Sequence, residues 1–106
     1  MTSEGRRMPR KTATQAERVL VYAADGGADG ITRLGAALHV GCFELAARIG
    51  ELERDGCVFA RERVGMPSRY GGRTTVTRYV LRYAPPVLVA HAREHIRADA
   101  IAQDTE

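Results

Sequence analysis

Apolar positions recur along this chain with two different periods, and the change falls at Gly56. Val19, Leu20, Tyr22 and Ala23 share one face of a helix, and Leu34, Ala37 and Leu38 repeat that spacing over a shorter stretch. Leu45, Ile49 and Leu52 stand at i, i+4 and i+7, a stripe suited to burial against other helices. Beyond Gly56 the residues are β-branched or aromatic instead: Val58, Phe59, Val64, Thr74 to Thr77, Tyr79, Val80, Leu81 and Tyr83. Helical spacing returns with Val87, Leu88, Ala92, Ile96 and Ala100.

The residues between these runs mark the boundaries. Thr14 and Glu17 make a capping box ahead of the first helix, and Asp25-Gly26-Gly27 with Asp29-Gly30 stops it. Thr32 is placed to cap a second helix. Gly41 is placed to cap a third, with Glu44 in its first turn. Gly56 ends that helix in a left-handed conformation, Gly71-Gly72 signals a hairpin, and Pro85-Pro86 ends the second strand. The pattern predicts helices over about 15–25, 33–39 and 42–55, strands over about 57–65 and 74–83, and a fourth helix over about 87–102. Residues 1–12 are polar and basic and read as a disordered arm. The expected fold class is α+β: a three-helix core and a two-stranded basic hairpin over 13–84, then an extra C-terminal helix over 85–106.

A chain of 106 residues, 44% hydrophobic, fits one domain with one modest core and excludes a two-lobed enzyme. No apolar run approaches the roughly 18–20 residues of a membrane helix. No apolar segment follows the basic start, so no secretory signal is read and a cytoplasmic protein is expected. Two cysteines and no tryptophan argue against a disulfide scaffold, and both thiols are expected free.

Charge changes the picture once it is read by segment. Fifteen arginines accompany a single lysine, Lys11, and the formal net charge is +3. A GC-rich genome accounts for arginine in place of lysine but not for where the arginines sit. Residues 57–83 carry six of them against Glu62, a net of +5, and residues 1–12 carry a net of +3, while the rest is acidic. Such clustering is the footprint of a polyanion binder.

The order helix, short extended residue, helix, tight turn, helix, basic hairpin resembles a winged helix-turn-helix. Leu34 to Val58, LGAALHVGCFELAARIGELERDGCV, is similar to MarR- and Lrp-type bacterial or phage regulators. Leu38, Val40, Leu45, Ile49, Leu52, Glu53, Gly56 and Val58 fall on the positions of that pattern. His39 stands where the family often has Gly, and Gly41-Cys42 where Ser-Arg is common. The resemblance covers roughly residues 14–83. It implies that the third helix lies in the major groove of double-stranded DNA, braced by the second.

On that helix the face away from the stripe presents Cys42, Phe43, Ala46, Ala47 and Gly50, with Glu44, Arg48 and Arg54 near its edges. Arg48 is the candidate for base contact, and Phe43 or Ala46 can meet thymine methyls. Phe43 can equally face a protein. The hairpin supplies Arg61, Arg63, Arg69, Tyr70, Arg73 and Arg78 for phosphate or minor groove, with Thr74 and Thr75 as hydroxyl donors. Arg6, Arg7, Arg10 and Lys11 can follow the backbone. The C-terminal helix needs cover for Leu88, Ala92 and Ile96, either on the first helix or on a second copy, and a homodimer is expected.

Other signals carry less. His91-Ala92-Arg93-Glu94-His95 matches HxxEH but lacks a third ligand, which leaves an adventitious metal pair or a half-exposed helix. His39, Cys42 and Cys57 fit no standard zinc finger; Cys57 reads as a small core residue. Cys42, at a helix N-terminus, is where a thiol can ionise as a redox sensor. Residues 25–30 resemble a calcium loop, but Ala36 stands where its glutamate belongs. No phosphate loop, dinucleotide fingerprint or catalytic triad is present, so no enzyme and no cofactor are expected. Three functions stay open: a sequence-specific transcriptional regulator, an architectural or recombination accessory protein, and a winged helix used for protein interaction.

Overall fold

The computed structural model describes residues 13–104, with side chains as far as Ala102. In chain order the elements are α1 (Gln15–Gly26), a 3-10 turn (Gly27–Asp29), β1 (Ile31–Thr32), α2 (Arg33–His39), α3 (Leu45–Arg54), β2 (Val58–Pro67), β3 (Arg73–Tyr83) and α4 (Pro86–Asp104). The basic arm over residues 1–12 lies outside the described residues.

Side-chain caps start the first two helices. The Glu17 amide donates to the Thr14 hydroxyl at 3.1 Å, and the Thr14 amide donates to the Glu17 carboxylate at 2.9 Å. This reciprocal cap orders the first turn of α1. The Gly35 amide likewise donates to the Thr32 hydroxyl at 3.1 Å and starts α2. Between them Gly30 holds a positive φ of 61°, and a Cβ there would stand 2.4 Å from the Tyr79 carbonyl oxygen. Only glycine lets the chain come this close to β3.

That close approach pairs the short extended residue read at Ile31 with β3 as a strand. The sheet has three antiparallel strands in the order β1-β3-β2, not two. Ile31 lies opposite Tyr79 and Thr32 opposite Arg78. A two-residue strand is too short to show an alternating pattern, so its partner decides it. β2 and β3 pair from Val58–Tyr83 to Pro67–Arg73, with an irregularity at Val58/Phe59. The reversal is closed by Ser68 and Gly72, whose amide and carbonyl meet at 3.0 Å. Ten-residue strands span about 33 Å, and the molecule measures 60 Å along its longest axis against 22 Å along its shortest. The hairpin therefore projects as a wing.

The core lies where α1, α3 and the root of the sheet meet. Val19, Leu20, Ile31, Ile49, Leu52 and Phe59 are buried in it. The stripe Leu45, Ile49 and Leu52 is buried as its spacing predicts, and Cys57 is a buried core residue. α2 departs from expectation. Its buried residue is Ala36, whereas Leu34 and Leu38 are 60% and 69% exposed. Ile31 is anchored in the sheet and His39 stacks on Tyr22 of α1 at 5.7 Å between ring centroids. Together they turn the alanine face of α2 inward.

The third helix also starts later than expected. Gly41 adopts a positive φ of 73° and turns the chain rather than capping a helix, and α3 begins at Leu45 with Glu44 as its N-cap. α4 packs back along α1. Ala92 is fully buried there, and Leu88 and Val89 rest on the core. Asp99 accepts from Arg18 and from the Ala13 amide, His95 meets Glu17 at 2.8 Å, and Arg93 donates to Asp25 at 2.8 Å. Val87 and Ile101 of α4 stay exposed. Among the described residues no helix is long and apolar enough to cross a membrane.

Candidate nucleic-acid interface

α3 presents a solvent face that begins at Phe43, which is 72% exposed, and continues through Glu44, Ala46 and Ala47. Glu44 makes no side-chain cap. Cys42 is not part of this face. It is fully buried, and its amide donates to the Ala36 carbonyl at 3.0 Å. The turn at Gly41 drives Cys42 under α2, ahead of the helix it was expected to begin. Its assignment to a DNA contact, and to a thiol at a helix N-terminus, is therefore corrected. Arg48 is half-buried and held by Glu51 at 2.8 Å.

The wing divides by register into two faces. Arg61, Arg63, Gly65 and Pro67 of β2 lie opposite Tyr79, Thr77, Thr75 and Arg73 of β3. The pairs Glu62–Arg78, Val64–Val76 and Met66–Thr74 take the other face. Thr75 is thus on the arginine face, and Thr74 and Arg78 are not.

Near the root, acids neutralise Arg61 and Arg78. Arg61 donates to both Glu53 oxygens at 2.9 and 3.2 Å and covers the Tyr79 ring at 5.2 Å from its centroid. These hydrogen bonds hold the Glu53 carboxyl below its ordinary value and raise the Arg61 guanidinium above its own. Arg78 donates to Glu62 at 2.7 Å across the strands.

Further out the arginines have no carboxylate partner among the described residues. Arg63 donates to the Thr75 hydroxyl at 2.6 Å, and Arg69 lies 6.0 Å from the ring centroid of Tyr70, which is 91% exposed. The Arg73 guanidinium reaches across to β2, where a Cβ on Gly65 would come within 2.9 Å of it. Glycine at 65 therefore makes room for that side chain.

Several residues beside α3 escaped the sequence reading. Leu45 and Ala46 of α3 face Thr75, Thr77 and Tyr79 of the arginine face across a groove of about 310 Å³, with Arg33 and Val76 on its walls. Arg33 and Val76 also line an adjoining groove of about 330 Å³ with Leu34, Ala37 and Phe43. Arg33 has no carboxylate partner among the described residues. The signal was present in α2, where four apolar residues in a seven-residue helix left open which face is covered.

The remaining candidates are structural. Cys57 is buried; burial raises its thiol, and Asp55 and Glu53 add to the rise. The His91 and His95 rings lie 6.3 Å apart, and His95 turns to Glu17. Among the described residues no three His, Cys, Asp or Glu side chains are grouped to hold a metal.

Residues 14–84 match the family model described as Winged helix-turn-helix domain. No curated protein and no solved structure matches the chain.

Proposed function

The chain belongs to the winged helix-turn-helix domain family, and from that premise we propose that it binds double-stranded DNA as a transcriptional regulator. In this reading α3 enters the major groove with Phe43, Glu44 and Ala47 toward the bases, Arg48 is held beside them by Glu51, and the wing lies along the backbone or in the minor groove. The observation that carries it is the charge left on the wing. Arg63, Arg69 and Arg73 project beyond the acid-paired root and have no carboxylate partner among the described residues, so they are open to phosphate.

Thr75 and Tyr70 stand with them as hydroxyl donors. Arg61, held by Glu53, orients the wing against α3, and Arg78, held by Glu62, stiffens the hairpin. The protein acts without a cofactor or catalytic step, in the cytoplasm beside the nucleoid. We also take it as a homodimer through the outer side of α4, where Val87 and Ile101 are exposed. Light scattering at a mass near 11.6 kDa would exclude the dimer.

A second reading follows from the bland face of α3. An architectural or recombination accessory protein uses wing and backbone contacts with little sequence readout. A gel shift with selected and random duplexes across a salt series tests both. Tight, sequence-selective binding supports the regulator, and salt-sensitive unselective binding supports the architectural role. Absence of binding at low salt removes DNA and leaves a protein-interaction module.

A further inference from the structure

The surface between α2, α3 and the wing is apolar where a base-reading surface is ordinarily polar. Phe43 and Leu34 are both largely exposed, and with Ala37 and Val76 they line one groove that adjoins a second reaching Ala46. The side chains of α3 offer few hydrogen bonds to bases, since Ala46 and Ala47 have none to give and Arg48 is engaged by Glu51. Around the margin stand cations without a carboxylate partner among the described residues: Arg33 beside the grooves, and Arg63 and Arg73 on the wing face turned to α3. The occupant that suits such a surface is anionic at its edges and apolar at one point. Duplex DNA has one such feature in the major groove, the C5 methyl of thymine.

We propose that this protein selects DNA through thymine methyl groups received by Phe43, Leu34 and Ala46, with Arg33 on the adjoining phosphate, rather than through hydrogen bonds from α3. This rests on the DNA-binding reading and adds what is read. Phe43 is the specificity-determining residue. Leu34 is exposed on α2 to complete the apolar wall beside it.

The test compares four short duplexes by fluorescence anisotropy: alternating dA/dT, the same with uracil for thymine, alternating dG/dC, and the same with 5-methylcytosine. Uracil removes only the methyl from the major groove, and 5-methylcytosine adds one at the equivalent ring position. The uracil duplex is expected to bind more weakly, by about fourfold for each methyl that is buried. The methylated dG/dC duplex is expected to bind more tightly than its parent. Phe43→Ala, at a 72% exposed position that folding does not need, should bring both ratios toward one. Arg69→Ala with Arg73→Ala should weaken all four duplexes and leave the ratios standing. Equal binding of the thymine and uracil duplexes overturns the inference and leaves DNA binding intact. Failure of every duplex to bind at low salt overturns the DNA reading itself and gives the groove to a protein partner.

Discussion

Arg61 grips Glu53 with two hydrogen bonds, at 2.9 and 3.2 Å, and so ties the first residue of the wing's arginine face to the last turn of α3. The Tyr79 ring beneath the guanidinium fixes its plane. The wing and the third helix are thereby held at one angle, while the charge of Arg61 is used up within the protein. Further out on the wing, Arg63, Arg69 and Arg73 have no carboxylate partner among the described residues and are left for a partner.

This pair carries a pH dependence whose sign is set by Glu53. Its carboxyl titrates below the ordinary 4.5 in the folded chain because Arg61 donates to the charged form. The pair therefore stabilises the fold above that value, and the contribution is lost as pH falls through the folded pKa. Both side chains are partly exposed, so solvent screening limits the effect to a few tenths of a kcal/mol. Urea unfolding should place Glu53→Gln slightly below the parent at neutral pH, and the difference should vanish in acid. A difference that persists or grows in acid would contradict the assignment. Asp25, lowered by Arg93, should behave the same way below 3.8.

Two leucine-like side chains of similar size should respond oppositely to truncation. Ile49 is fully buried, and Ile49→Ala is expected to cost about 2–5 kcal/mol. Leu34 is 60% exposed, and Leu34→Ala should change stability by no more than about 0.5 kcal/mol. Denaturant midpoints decide it. A large loss at Leu34 would restore the leucine face of α2 to the core.

Both thiols should resist modification in the native protein. Cys42 is fully buried and Cys57 is buried with a raised thiol. Iodoacetamide should label neither at the rate of a free cysteine until urea unfolds the chain. Rapid native labelling of Cys42 would reinstate a redox role.

Much of the fold was legible because local signals agreed with the tertiary result. The Thr14–Glu17 box, the Thr32 cap, the Leu45–Ile49–Leu52 stripe and the Gly71-Gly72 turn each act within a few residues. What stayed hidden depends on partners distant in sequence. Ile31 becomes a strand only because Gly30 lets it reach Tyr79. Ala36 is buried, and not Leu34, because neighbours on α1 and β3 set the roll of a short helix. Cys42 is lost from the interface because a glycine turn delays α3. At the candidate site, composition located the arginines but could not tell the acid-paired Arg61 and Arg78 from the unpaired Arg63, Arg69 and Arg73.

The central claim, that the outer wing meets phosphate, is tested most directly by the salt dependence of DNA affinity. Each phosphate contact contributes a slope of about −0.9 in log affinity against log salt. Replacing Arg69 and Arg73 together with alanine should make the slope shallower by about two. Arg78→Ala, whose charge Glu62 already holds, should change it by less than one contact. An unchanged slope and affinity in the Arg69 and Arg73 double variant would contradict the account.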